Sequence, residues 1–149
     1  MFLLSLLMHV TGLTLAAGTT FVVYWMNRRF WKYYVSDRAR ALTVMELSAR
    51  LPMIIGIGMG LLVLSGFFMM YLTKGIFAGQ LWFKIKIVLV LLGIGSGFVA
   101  RSLGKKMKAT ITADNDPGIR SLKQKVTLVH LVQLLLFFSI IVLAVFRFN

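Results

Sequence analysis

The sequence predicts an all-α integral membrane protein, an up-down bundle of four transmembrane helices forming one domain over residues 1–149. Three observations carry that expectation. Hydrophobic residues make up 59% of the chain and charged residues only 14%, far from the balance of soluble domains. Four apolar runs each reach the ~20 residues that cross a hydrocarbon core. Lys and Arg gather between those runs rather than within them.

The first span, 2–26, contains no charged residue and is long enough to cross with tilt. A signal peptide would place charge before a shorter apolar stretch, so this segment reads as a retained helix. At its inner end the aromatic group Tyr24, Trp25, Phe30, Trp31, Tyr33 and Tyr34 is expected among lipid headgroups. Within the loop 27–50, helical spacing puts Ala41, Val44, Met45 and Ser48 on one face, which predicts an interfacial helix over Asp37 to Ser48. The second span, 51–72, carries Pro52 in its first turn, where proline is tolerated. A short link, 73–80, then predicts that the second and third spans are antiparallel neighbours. The third span covers 81–100 and the fourth 126–146, separated by the loop 101–125. In that loop Asp114-Asn115-Asp116-Pro117-Gly118 is a turn signal, with Asp116 as cap and Pro117 at the first helical position. Both flanking helices are therefore expected to continue past the inner face before turning.

Charge sets the expected orientation. Arg28, Arg29, Lys32, Arg38, Arg40 and Arg50 lie in the first long loop, and Arg101, Lys105, Lys106, Lys108, Arg120, Lys123 and Lys125 in the second. Lys74 is alone in the connection on the other side. The positive-inside rule then puts both long loops in the cytoplasm and both termini on the outer, periplasmic side of a bacterial inner (plasma) membrane. Topology and anionic headgroups account for the net charge of +13, so lipid and not nucleic acid is the expected partner. With no cysteine the chain has no disulfide, thiolate zinc site, iron–sulfur cluster or thiol nucleophile. Redox work would require a bound cofactor.

Ionisable groups inside a span are costly and hence functional candidates. These are His9 in the first span, Lys84 and Lys86 in the third and His130 in the fourth, with Gln133 one turn on from His130. No carboxylate lies in any span, which argues against a carboxylate proton relay. At 1.5 Å of rise per residue, His9 lies ~10 Å and Lys86 ~8 Å below the outer ends of their helices, while His130 is ~14 Å from the level of His9. One haem clamped by both histidines is geometrically poor. Gly12 continues the face of His9 inward, and Gly93 and Gly97 that of Lys86. Such small residues either leave room for a flat ligand or, like Gly56 and Gly60 in the second span, let helix backbones approach. His9 is a ligand, a proton-transfer group or a hydrogen-bonded structural histidine. Lys86 is functional or merely snorkels, and His130 with Gln133 suits inter-helix hydrogen bonding. Met8, His9, Met69 and Met70, near one membrane face, raise a copper site, since thioether and imidazole suit Cu(I).

Helix one reads His9-Val10-x-Gly12, then Gly18-x-x-Phe21 and Arg28-Arg29-Phe30, and helix three opens Trp82-Phe83-Lys84-Ile85-Lys86 before an apolar run. This pattern resembles the HemJ-type protoporphyrinogen oxidases and, more loosely, the membrane domain of CopD-type copper proteins. The resemblance implies a four-helix membrane fold and b-type haem, with His9 matching the family's functional histidine and Lys86 its functional lysine. Lys84 departs from the family pattern, standing where a second histidine is expected. Gly95-Ser96 replaces a Tyr-His pair, and the Val129-His130 region an Asn-Glu pair. The resulting expectation is a haem b or tetrapyrrole protein of electron transfer or porphyrinogen oxidation, with a quinone-like or respiratory-chain acceptor. His9 would be the metal ligand and a catalytic residue, Lys86 a catalytic and cofactor-binding residue, either the second ligand or the partner of a propionate or acidic substrate group, and Gly12, Gly93 and His130 would line the cofactor. A CopD-like copper transport or binding protein and a structural subunit of a membrane complex are the alternatives, and the chain could pair with copies of itself.

Overall fold

A computed structural model describes residues 1–112 and 116–146 and is helical throughout, with no strand among the described residues. The elements are α1 (Phe2–Ser36), α2 (Arg38–Ser48), α3 (Leu51–Leu72), α4 (Leu81–Thr112) and α5 (Asp116–Val145). Four stretches are long and apolar enough to cross a membrane, and their large apolar side chains lie mostly on the outside, where lipid is the natural solvent. The chain is a multi-pass membrane protein.

Helices α1 and α4 both outrun the hydrocarbon core. α4 continues about twelve residues beyond the apolar run that ends at Ala100, ~18 Å of extra helix. The proposed turn at Asp114 and Asn115, and the side chains of Asp116 and Pro117, lie outside the described residues. Helix α2 starts where Asp37 breaks α1 with an extended backbone, and its carboxylate accepts from the Arg40 N–H at 3.1 Å as an N-cap. The face anticipated for this helix is the one that packs. Ala41 is fully buried, and Val44 and Met45 lie against Phe30, Trp31, Ile111 and Ile119. Phe30 and Trp31 are therefore core residues of the protein's basic end, not headgroup anchors, and only Trp25 keeps a largely exposed ring, with Arg29 4.9 Å above it. Helix α2 closes on protein because its apolar face finds buried apolar partners there.

A second cluster lies mid-bundle, where Ala16 of α1 meets Phe137 and Ile140 of α5 with Met59 of α3 and Leu89 and Val90 of α4 around them. All four long helices contribute to it, yet their packing is unequal. α1 packs principally against α3, α4 against α5, and α1 also touches α5. The expected close pairing of α3 with α4 across the short link is not a principal contact. They approach through side chains: the Met59 ε-methyl lies 3.7 Å from the place of a Cβ on Gly93.

The cause is a crossing of α1 and α3 backbone on backbone. A Cβ on Gly12 would stand 2.7 Å from the Leu62 nitrogen and 2.8 Å from the Gly58 oxygen. One on Gly58 would stand 2.7 Å from the Ala16 nitrogen and 2.9 Å from the Gly12 oxygen. No side chain fits there. Gly56 and Gly60 have open space around them, so the glycine of α3 that meets a neighbouring helix is the one between them.

At the far end α3 stops in a Schellman turn. The Gly75 N–H reaches the Met70 carbonyl at 3.0 Å and the Lys74 N–H the Tyr71 carbonyl at 3.1 Å. Lys74 holds the left-handed position usually given to glycine, with φ 50°, and Gly75 follows at φ 71°. Trp82 then tucks under the link by donating its indole N–H to Gln80, against the Phe77 ring.

Candidate functional site

His9 sits on α1 one turn before the Gly12 crossing, so the same close approach that excludes side chains below it brings α3 within reach of its ring. The imidazole lies over Gly66, whose missing Cβ would stand 3.4 Å from Cε1, and Nδ1 is 3.0 Å from the Ser65 hydroxyl. Ser65 is buried, and its hydroxyl hydrogen is directed to the Leu61 carbonyl at 2.5 Å. A hydroxyl has one hydrogen to give. If Ser65 spends that hydrogen on Leu61 it accepts from His9, which puts the imidazole proton on Nδ1 and leaves the Nε2 lone pair available. A partner on one ring nitrogen that fixes the other as ligand or base is how proteins orient metal-binding histidines.

The half-buried Lys86 of α4 is near enough for its ammonium charge to act on the His9 ring. The structure thus brings together two of the anticipated residues and adds Ser65 and Gly66, which sequence reading missed. A signal for them exists: Ser65 lies seven residues before the end of α3, ~10 Å from that end, the same depth as His9. A Ser-Gly pair at that level in an otherwise apolar span offers a hydrogen-bond partner for His9 with room beside it for the ring.

The other anticipated residues fall elsewhere. Gly12 is filled by the backbone of α3, so it opens no space for a ligand and serves the crossing. Gly93, half-buried, faces Met59. His130 is remote. Asn27 of α1 binds Thr127 of α5 at 3.1 Å, and Ala16 packs with Phe137 and Ile140, so the antiparallel register sets His130 opposite about residue 24 of α1. That is ~22 Å along the axis from His9, and the two imidazoles cannot share one metal. The His130 Nδ1 is buried without a hydrogen-bond partner among the described residues, whereas Gln133 is simply buried one turn away.

The donor set at the far end from the basic loops suits a metalloporphyrin in two respects. A neutral imidazole held at one ring nitrogen is an axial-ligand donor for haem. An ammonium beside it matches the carboxylates such a group carries. No cluster of three or more His, Cys, Asp or Glu that could hold a bare ion occurs among the described residues. No family model, curated protein or solved structure matches this chain.

Proposed function

We propose that this chain is a bacterial inner-membrane redox protein that binds haem b or a related tetrapyrrole through His9. In this reading the termini and the His9 end face outward and both basic segments face the cytoplasm. The observation that supports it most is the Ser65 hydrogen bond, which holds the His9 ring and leaves Nε2 to bind. Lys86 pairs with a propionate or an acidic group of a substrate. When bound, the haem supplies the one-electron chemistry that a cysteine-free chain lacks, for electron transfer or porphyrinogen oxidation with a quinone-like acceptor.

The visible spectrum of the protein purified in mild detergent tests this directly. A Soret band with reducible α and β bands is expected, and His9→Ala should abolish most of it while His130→Ala leaves it largely intact. A colourless preparation that takes up no added haem overturns the proposal, and retained copper in that preparation would move the site to Met8, His9, Met69 and Met70.

A further inference from the structure

A second feature lies at the opposite end of the bundle. Between α1 and the start of α5, Arg28, Trp31, Lys32, Lys123 and Thr127 line a cleft of about 300 Å³. Its lining holds three cations and no carboxylate. Arg28 and Lys32 stand one turn apart on the same helix, where like charges repel. Lys123 faces them from α5, its ammonium 5.8 Å from the centre of the Trp31 ring. Basic residues nearby are satisfied within the chain: Arg29 lies over Trp25 and Arg40 pairs with Asp37 at 3.0 Å. The three in the cleft have no ion-pair partner among the described residues.

The walls are rigid. Trp31 is buried and donates to Asn27 at 2.9 Å, and Asn27 donates to Thr127 at 3.1 Å. The Thr127 hydroxyl is therefore held at the cleft as an acceptor for Asn27, with its own hydrogen left to offer an anion. The cleft opens where the apolar run of α1 ends at Met26 and that of α5 begins at Val126, the level of lipid phosphates. Its volume is at the small end for ligand sites, the size of a headgroup rather than of a large cofactor.

We propose that this cleft binds the phosphate of an acidic phospholipid, with Arg28, Lys32 and Lys123 neutralising it, Thr127 donating to it and Trp31 forming its floor. A free phosphate offers the same chemistry but lacks acyl chains to lie along the apolar flanks of α1 and α5. Convergence separates this from a general attraction of basic loops to the membrane. Lys105 and Lys106 belong to the same end but line no part of the cleft, so their loss should not matter.

Native mass spectrometry of the detergent-solubilised protein tests it, with phosphatidylglycerol, phosphatidylcholine and inorganic phosphate added in separate arms. Phosphatidylglycerol adducts should survive activation, phosphatidylcholine should be retained at least about tenfold less, and phosphate should not be retained. In the Arg28→Gln/Lys32→Gln/Lys123→Gln variant the phosphatidylglycerol adduct should fall to the phosphatidylcholine level, while Lys105→Gln/Lys106→Gln keeps it. If the triple variant is misfolded by circular dichroism and gel filtration, Lys123→Glu alone, on an exposed side chain, should produce the same loss. Equal retention in the cleft variants, or equal loss in the Lys105/Lys106 control, overturns the site. Tight binding of inorganic phosphate alone overturns the lipid assignment.

Discussion

Ser65 is the partner of His9, 3.0 Å from Nδ1, and the direction in which its one hydroxyl hydrogen points is coupled to which ring nitrogen carries the proton. Ser65→Ala removes the partner and frees the ring, so if His9 binds haem as proposed, the affinity should drop about 10–100-fold, the usual effect of removing the partner of a metal-bound histidine. Titrating haem into both proteins measures it, and unchanged affinity would make the bond purely structural. Lys86 separates by charge. Lys86→Arg should keep most of the haem, whereas Lys86→Met, similar in length but neutral, should weaken it if the ammonium pairs with a carboxylate. Equal occupancy in both would reduce Lys86 to an interfacial anchor. At this scale His9 and Lys86 were legible because a charge in hydrocarbon is rare and depth can be counted. Ser65 and Gly66 were passed over although their depth matches that of His9, since serine is unremarkable in a span until its partner is known.

Among the elements, the Gly12–Gly58 crossing governs how α1 and α3 meet. Gly12→Val would drive a branched side chain into the backbone of α3 at distances no Cβ tolerates. A loss of at least about 1–3 kcal/mol is expected, read as a lower melting temperature in detergent. Gly56→Val, on an open face, should change it little and serves as the control. The pattern of glycines at 56, 58 and 60 announces a close approach without saying which one makes it. That depends on the rotation of α3 against Gly12, a property of two helices that neither segment contains. The helices themselves were legible to within a few residues in the membrane. Outside it, α1 and α4 run on because Phe30, Trp31, Met107 and Ile111 find one another across α2, a contact between segments far apart in sequence.

For the molecule as a whole, apolar length and charge distribution were enough to anticipate four crossings, but not which helices touch. The link 73–80 is short, yet α3 belongs with α1 and α4 with α5. Chain proximity lost to a backbone contact that only glycines permit. The bundle is thus two helical hairpins, α1–α2–α3 and α4–α5, meeting through α1, α5 and the Ala16, Phe137 and Ile140 cluster.

That division makes the connection between the hairpins nearly dispensable. Each half emerges from the ribosome with its closest partner already in hand, so the first can settle in the bilayer before the second is made. Residues 1–75 and 76–149, expressed as separate chains, should then find each other in the membrane and copurify through a tag on either one, a break that keeps Phe77 with Trp82 and the Lys74 turn with α3. Should the halves not associate, the link is a structural tether and the two hairpins are not independent units. If they do associate, the Gly12→Val change would weaken the first hairpin from within while leaving the second intact, and the proposed pairing of His9 with Lys86 could be rebuilt from two chains, since Lys86 arrives only with the second.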